Sequence, residues 1–172
     1  MFGRKRRQER QFDREATRYQ MRQRMLSIGD DYEIENERGE RVFKLDGKAL
    51  RIRKTFILES PSGDELFKIQ EKKLSVRDKM TIERGSTRAV VHKRLIGIRD
   101  HYVIEVDGGE DLKAHGNIVD HEYEIERDGD TVAQVSKKWF RVRDSYGVQL
   151  AEDQDVPLIL AITVCVDAMA RG

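Results

Sequence analysis

The apolar stretch near the end of the chain reads Asp155-Val-Pro-Leu-Ile-Leu-Ala-Ile-Thr-Val-Cys-Val-Asp-Ala-Met-Ala170. Between Val156 and Val166 its only polar residue is Thr163, in a chain that is 38% charged. A helix that is hydrophobic on all sides must be enclosed, either by a membrane or by the rest of the protein. The fold therefore depends on what surrounds this segment.

A repeated pattern precedes this stretch. From Leu26 to Leu150, six similar segments of alternating apolar and polar residues each carry an aromatic residue or a methionine at the equivalent position. Each period also contains one turn within the motif and one turn rich in Gly and Asp between motifs, which predicts about twelve antiparallel strands. A meander of this length is expected to close into a barrel, because closure removes its edges. The six equivalent positions are Tyr32, Phe56, Met80, Tyr102, Tyr123 and Tyr146.

The apolar segment suits the interior of such a barrel, which is too wide for its own side chains to fill. Asp155 is a candidate N-cap, and Pro157 falls in the first helical turn, where proline is tolerated. About fifteen helical residues reach roughly 22 Å, whereas a bilayer core needs about twenty, and Asp167 makes a span less favourable still. We predict a mainly β fold, a closed antiparallel barrel around a buried helix at about residues 156–170, without a transmembrane span.

The end of the chain also resembles known proteins. The tract Asp144-Ser-Tyr-Gly-Val-Gln-Leu-Ala-Glu-Asp-Gln-Asp155 and the apolar segment after it are similar to the end of LURP-one-related and phospholipid-scramblase proteins. Repeated motifs such as Lys137-Lys-Trp-Phe-Arg-Val-Arg-Asp-Ser-Tyr146 resemble the LURP-one-related family more closely. The resemblance covers about residues 19–170. It implies the tubby C-terminal fold, a twelve-stranded barrel threaded by a hydrophobic helix. Tubby domains bind phosphoinositides, and scramblases are associated with calcium and lipid movement.

The calcium interpretation fits these residues poorly. The scramblase tract proposed to bind calcium aligns with Asp144 to Asp155, and calcium takes six to eight oxygen ligands. Here the alternate positions are Tyr146, Val148 and Leu150. That alternation predicts a strand, with Asp153 and Asp155 serving as turn and helix cap. A calcium-dependent scramblase-like protein is therefore the least favoured alternative.

The N-terminus is basic. Residues 1–25 carry nine basic and three acidic side chains, a net charge of +6. We predict a flexible or loosely helical arm over residues 1–18 and the barrel domain over residues 19–172. The basic run lacks the apolar stretch that follows it in a signal peptide. The single cysteine, Cys165, excludes an internal disulfide and fits a reducing compartment. We expect a cytoplasmic monomer.

Few side chains suggest catalysis. His115 and His121 flank a short segment that ends in Asp120, but their spacing is not a recognised metal-ligand pattern, and a surface histidine is the simpler interpretation of His121. Cys165, within the apolar segment, is expected to be buried and a poor nucleophile. The sequence contains no nucleophile elbow, phosphate-binding loop or dinucleotide fingerprint. We predict a non-enzymatic protein without cofactor or metal, in which Asp155, Pro157, Cys165 and Asp167 are structural.

Charge is unevenly placed along the repeat. In an up-and-down barrel all turns of one kind lie at the same end; here the motif turns are basic and the turns between motifs are acidic. A basic rim concentrates anions by its summed field. Neighbouring aspartates neutralise part of this charge, and exposed charge often serves only solubility. The candidate anion-binding residues are Arg53, Arg77, Arg99, Lys137, Lys138 and Arg143.

Three functions remain to be distinguished. The favoured one is a binding or scaffold domain that engages an anionic membrane surface, through acidic phospholipid headgroups. A nucleic-acid-associated regulator is the main alternative; its affinity would fall steeply with salt, and the arm offers few aromatics for base stacking. An enzyme with a site at the barrel mouth is the third, and a helix that fills the lumen leaves it little room.

Overall fold

The computed structural model describes residues 3–4, 6–7, 16–23, 31–47, 55–72, 79–96, 99–139 and 145–171. This part of the chain contains twelve strands and a C-terminal helix, Val156–Arg171, which matches the helix predicted at about 156–170. Residues 3–4 and 6–7 of the predicted arm are helical and exposed. The strands are β1 (Thr17–Gln23), β2 (Tyr32–Glu35), β3 (Arg41–Gly47), β4 (Thr55–Glu59), β5 (Glu65–Glu71), β6 (Lys79–Arg84), β7 (Thr87–Ile96), β8 (Arg99–Val106), β9 (Leu112–Asn117), β10 (Glu122–Arg127), β11 (Asp130–Ser136) and β12 (Ser145–Leu150).

The strands form the closed antiparallel barrel that the repeat predicts. Each strand pairs with its neighbours in the chain, and β1 pairs with β12 to close the ring. The strand count is confirmed, but β1 begins at Thr17, before the first repeated motif and two residues before the predicted start of the domain. The barrel is thus offset by one strand from the repeat. The short alternation of Tyr19 and Met21 supplies this strand, in which Met21 is fully buried and Tyr19 packs against the core.

The six repeated positions form a ring inside the barrel. Each lies at or near the beginning of an even-numbered strand, and none is more than 4% exposed. Because even-numbered strands all begin at the same end of an antiparallel barrel, these side chains surround one end of the lumen. We call this end of the barrel the motif end. The six side chains that surround it are those of the repeated position: Tyr32, Phe56, Met80, Tyr102, Tyr123 and Tyr146.

The C-terminal helix occupies the lumen. Its side chains from Leu158 to Met169 are buried, and the apolar ones belong to one core cluster with the inward side chains of the strands. The Asp155 carboxylate accepts a hydrogen bond from the Leu158 amide at 3.3 Å, as an N-cap does, and Pro157 stands in the first turn. In the described part of the chain, no helix is both long and apolar enough to cross a bilayer.

The end opposite the motif end is acidic. The turns that follow the even-numbered strands all lie there, and the helix enters the barrel from this side after β12. The carboxylates at this acidic end are exposed to solvent, and their summed charge repels other anions. The exposed residues are those predicted from the turns between motifs: Glu37, Glu40, Asp64, Glu65, Asp107, Glu110, Asp111, Asp128 and Asp130.

Candidate functional site

The predicted anion-binding residues are only partly covered by the structure. Lys137 and Lys138 directly follow β11, at the motif end, and both are exposed. Arg99 is the first residue of β8, at the same end, but its side chain lies outside the described part. Three further candidates, Arg53, Arg77 and Arg143, lie outside the described residues altogether. The two lysines are therefore the part of the predicted basic rim whose surroundings can be described.

The backbone that carries these lysines is fixed by a carboxylate and a hydroxyl. Glu122 Oε1 accepts hydrogen bonds from the Ser136 hydroxyl at 2.9 Å and from the Lys137 amide at 3.1 Å. Ser136 Oγ in turn accepts the Lys138 amide at 3.1 Å. The two ammonium groups therefore extend into solvent from a backbone that hydrogen bonds hold in place. Less conformational entropy is lost when an anion binds to side chains on such a fixed backbone.

Trp139 continues this segment against the outer wall of the barrel. The Arg18 guanidinium carbon lies 4.9 Å from the centroid of the Trp139 ring. Arg18 Nε also donates to Gln149 Oε1 at 2.6 Å, and Gln149, an outward residue of β12, is only 1% exposed. The sequence interpretation placed Arg18 in the arm, whereas it lies in β1 and links that strand to β12 and to Trp139.

An open groove lies beside this segment, on the outside of β9, β10 and β11. It has a volume of about 500 Å³. It is distinct from the lumen, which the helix fills, and sequence reasoning did not find it, because its walls come from residues that only strand pairing brings together. The side chains that shape it include His115, Glu122, Glu124, Gln134, Lys138 and Trp139.

The two histidines considered together in the sequence face different surroundings. His115 points outward, with Nε2 at 2.8 Å from Glu126 Oε1. The interpretation of His121 as a surface residue is wrong: its side chain is 15% exposed and its ring stacks on Tyr146, with centroids 4.2 Å apart. His121 adopts a left-handed backbone (φ 53°), a local feature of the β9–β10 turn that the sequence does not reveal. Asp120 instead accepts the Asn117 side-chain amide at 2.8 Å, as expected of a turn residue.

A buried polar cluster joins the end of the helix to the motif end. Asp167, which is 5% exposed, accepts the Tyr32 hydroxyl at 3.0 Å through Oδ2. Its Oδ1 lies 3.3 Å from His121 Nε2. The predicted structural aspartate therefore fastens the helix to two separate parts of the wall, β2 and the β9–β10 turn. Enclosure on all sides makes this an anchor and leaves no space for a substrate.

Two further groups inside the barrel, Cys165 and Tyr123, have raised pKa values. Cys165 is fully buried, and burial raises the pKa of its thiol far above the ordinary range, so that it stays protonated. Burial, and then the charge of Asp167, also raise the pKa of Tyr123 well above its ordinary value. Among the described residues the Tyr123 hydroxyl has no hydrogen-bond partner. Both groups are core residues.

The tract aligned with the scramblase calcium segment is a strand and a helix cap. Tyr146, Val148 and Leu150 are inward residues of β12 and are at most 4% exposed. Asp153 follows with a left-handed backbone (φ 63°), and Asp155 caps the helix. The positions where oxygen ligands would be needed therefore contribute to the core, as the alternation predicted.

Two tyrosines at equivalent repeat positions should respond oppositely to removal of their hydroxyls. Tyr32→Phe should destabilise the protein by about 1.5–3 kcal/mol, because it removes a buried hydrogen bond to a carboxylate. Tyr123→Phe should be neutral or stabilising, because the hydroxyl it removes is buried without such a bond. Urea denaturation at pH 7 compares the two variants. Equal losses in both would contradict this assignment.

The raised pKa of Tyr123 also predicts a dependence of stability on pH. The pKa of Tyr123 is raised in the folded state, so above about pH 10 this tyrosine ionises more readily in the unfolded chain, and the stability of the folded state falls as pH rises. Tyr123→Phe should therefore lose less stability than the wild type between about pH 9 and pH 11. Denaturation midpoints measured across that range report the difference.

Comparison with known proteins agrees with this architecture. A family model described as LURP-one-related matches residues 17–167. The chain belongs to the LURP-one-related family. The match confirms the resemblance drawn from the sequence, and it begins at the first residue of β1. Because it extends from β1 into the helix, it takes in every strand of the barrel and the buried Asp167.

One relative by sequence and one by structure resemble this LURP-one-related chain over most of their lengths. It is 29% identical over 168 residues to the uncharacterised protein YxjI of Bacillus subtilis (strain 168), covering 86% of this chain and 90% of YxjI. It also resembles the X-ray structure of a protein from Arabidopsis thaliana, with a TM-score of 0.65 and 15% identity over 91% of this chain and 92% of the other. At that identity the likeness shows the fold alone.

Proposed function

We propose that this chain is a cytoplasmic, non-enzymatic binding domain that engages acidic phospholipid headgroups through the motif end of its barrel and its basic arm. The observation that supports this most is the separation of charge between the two ends. Exposed Lys137 and Lys138 lie at the motif end, and the exposed carboxylates of the turns lie at the acidic end. A negatively charged plane, such as an anionic membrane surface, would orient such a barrel with the motif end towards it.

A binding role is further supported by the filled lumen. Leu160, Ile162 and Val164, in the middle of the helix, are at most 3% exposed. The polar groups inside, Asp167 among them, are engaged in holding the helix to the wall. A partner must therefore meet the outside of the barrel, where charge rather than an apolar cavity supplies the attraction.

The arm joins the barrel at the acidic end, opposite the motif end. Thr17 pairs with Leu150, so β1 starts at the acidic end and the arm leaves the barrel there. Sixteen extended residues would span at most about 53–58 Å, and the helical residues 3–4 and 6–7 shorten this by about 7–8 Å. A seven-residue strand spans only roughly 23 Å. The arm is therefore long enough to reach a membrane on which the motif end rests, and the two basic regions can be tested separately.

The first test separates the two ends of the barrel. Full-length protein is sedimented with vesicles of phosphatidylserine and phosphatidylcholine at low salt. Substituting Lys137 and Lys138 by Gln should weaken binding by about 2 kcal/mol, or roughly 30-fold, at about 1 kcal/mol for each charge near the membrane. The matched control substitutes two exposed arginines at the acidic end, Arg38 and Arg84, and should change binding by less than about twofold.

The second test addresses the arm and the main alternative. Substituting Arg4, Arg6 and Arg7 by Gln should weaken sedimentation further when combined with the lysine variant. Failure of the wild type to sediment with anionic vesicles, or equal sedimentation with phosphatidylcholine alone, contradicts the proposal. Release of the protein from vesicles by duplex DNA or RNA at low concentration would favour the nucleic-acid alternative instead.

A further inference from the structure

Three outward side chains of neighbouring strands converge beside the groove on the barrel wall. His115 lies on β9, and Glu124 and Glu126 lie on β10. Glu124 is the direct cross-strand partner of His115, and Glu126 is two residues further along the same face. One ligand atom from each, an imidazole nitrogen and two carboxylate oxygens, lies within 4.8 Å of the others.

We propose that His115, Glu124 and Glu126 bind a divalent transition-metal ion, with Zn²⁺ as the best match. Imidazole nitrogen with carboxylate oxygen is a ligand set that zinc accepts, usually with four-coordinate geometry. Calcium and magnesium are bound mainly by oxygen, and an imidazole in the set disfavours them. Three protein ligands leave one position of the ion open towards the groove.

The metal would take the place of a proton. The distance of 2.8 Å between His115 Nε2 and Glu126 Oε1 is that of a hydrogen bond, so a proton lies between the two atoms. With bonds of about 2.0–2.1 Å, tetrahedral ligand atoms stand about 3.4 Å apart. Binding therefore requires a small opening of this pair and a closer approach of Glu124, and the imidazole proton must move from Nε2 to Nδ1 so that Nε2 can bind the ion.

The surrounding sheet favours such a site. The ladder between β9 and β10 fixes the spacing of the three Cα atoms, and Thr131 Oγ1 lies 3.5 Å from Glu124 Oε2, on the side away from His115. A second imidazole is close by, because His101 on β8 is the cross-strand partner of His115. Ligands held by a rigid sheet and oriented by further polar contacts bind metal more tightly than mobile ones.

Another histidine–carboxylate pair provides a matched control. His92 Nε2 lies 3.4 Å from Glu105 Oε2 on the outer face of β7 and β8. Within the described residues, this pair is not joined by a third group at metal-ligand spacing. It has the same two functional groups as His115 and Glu126 but lacks the second carboxylate, so it should not hold a metal.

Trp139 can report on the site, since it is the only tryptophan of the chain and lines the same groove as His115 and Glu124. Full-length protein is titrated with Co²⁺, a paramagnetic substitute for zinc that quenches nearby tryptophan fluorescence. Quenching should saturate at one ion per chain, and Zn²⁺ should reverse it.

The variants decide the outcome. His115→Ala and Glu124→Gln should each weaken Co²⁺ binding at least about tenfold, since loss of a group that only hydrogen-bonds to a metal ligand already costs about 10–100-fold. Glu105→Gln should leave binding within about twofold of the wild type, and circular dichroism should show an intact fold in all three. Unchanged binding in Glu124→Gln, quenching absent at millimolar Co²⁺, or displacement of Co²⁺ by equimolar Mg²⁺ would each overturn the proposal.

Discussion

Replacing Asp167 by alanine should lower the free energy of unfolding by about 3–5 kcal/mol. Asp167 is 5% exposed and receives the Tyr32 hydroxyl on one oxygen, while the other oxygen lies beside His121 Nε2. Removing the carboxylate takes a hydrogen-bonding partner from two buried groups at once, and each such loss costs about 1–3 kcal/mol. Urea denaturation followed by circular dichroism measures the change.

An exposed aspartate gives the control for this substitution. Asp107 lies in the β8–β9 turn at the acidic end, and its replacement by alanine should change stability by no more than about 0.5 kcal/mol. Asp167→Asn keeps an acceptor oxygen and should fall between the two. If Asp167→Ala costs no more than Asp107→Ala, the buried cluster does not anchor the helix.

Leu160→Ala should destabilise the protein by about 2–5 kcal/mol, the usual cost of a cavity left by a large aliphatic side chain. Leu160 is fully buried near the middle of the helix, where the surrounding strands cannot collapse around a smaller residue without breaking the ladder. The same denaturation experiment applies, with the slope of the transition checked for a change in compactness.

Leu66→Ala is the matched control, because it removes the same atoms from the barrel wall. Leu66 on β5 is only partly buried. Its truncation should therefore cost clearly less, about 1 kcal/mol. Equal costs for the two leucines would show that the helix does not serve as the principal core element.

The sequence predicted the parts of this fold that depend on periodic burial. Every even-numbered strand presents a large side chain to the lumen, and the spacing of these side chains therefore predicted the number of strands. They are Tyr32, Phe56, Met80, Tyr102, Tyr123 and Tyr146. The helix followed from its apolar character on all sides. Both are consequences of the hydrophobic pattern along the chain.

The parts that sequence did not predict depend on contacts between distant residues or on single backbone angles. The inward position of His121 goes with its left-handed backbone, a conformation that is uncommon for any residue except glycine and that the identity of the residue does not fix. The placement of Arg18 in β1 depends on the pairing of β1 with β12. Its hydrogen-bond partner there, Gln149, lies 131 residues away in the sequence. The groove and its His115–Glu124–Glu126 cluster likewise require the register of β9 against β10. None of these leaves a periodic signal.

Closure of β1 on β12 has a consequence for biosynthesis. The first strand can pair with β2 early, but it cannot pair with β12 until Leu150 has been made, and the helix that fills the lumen is synthesised later still. At about 5–20 residues per second, the ribosome needs roughly 7–27 s to pass from Thr17 to Leu150. We expect the nascent chain to carry its inward aromatic side chains uncovered throughout this interval, so that attachment of chaperones is greatest just before the helix has been synthesised.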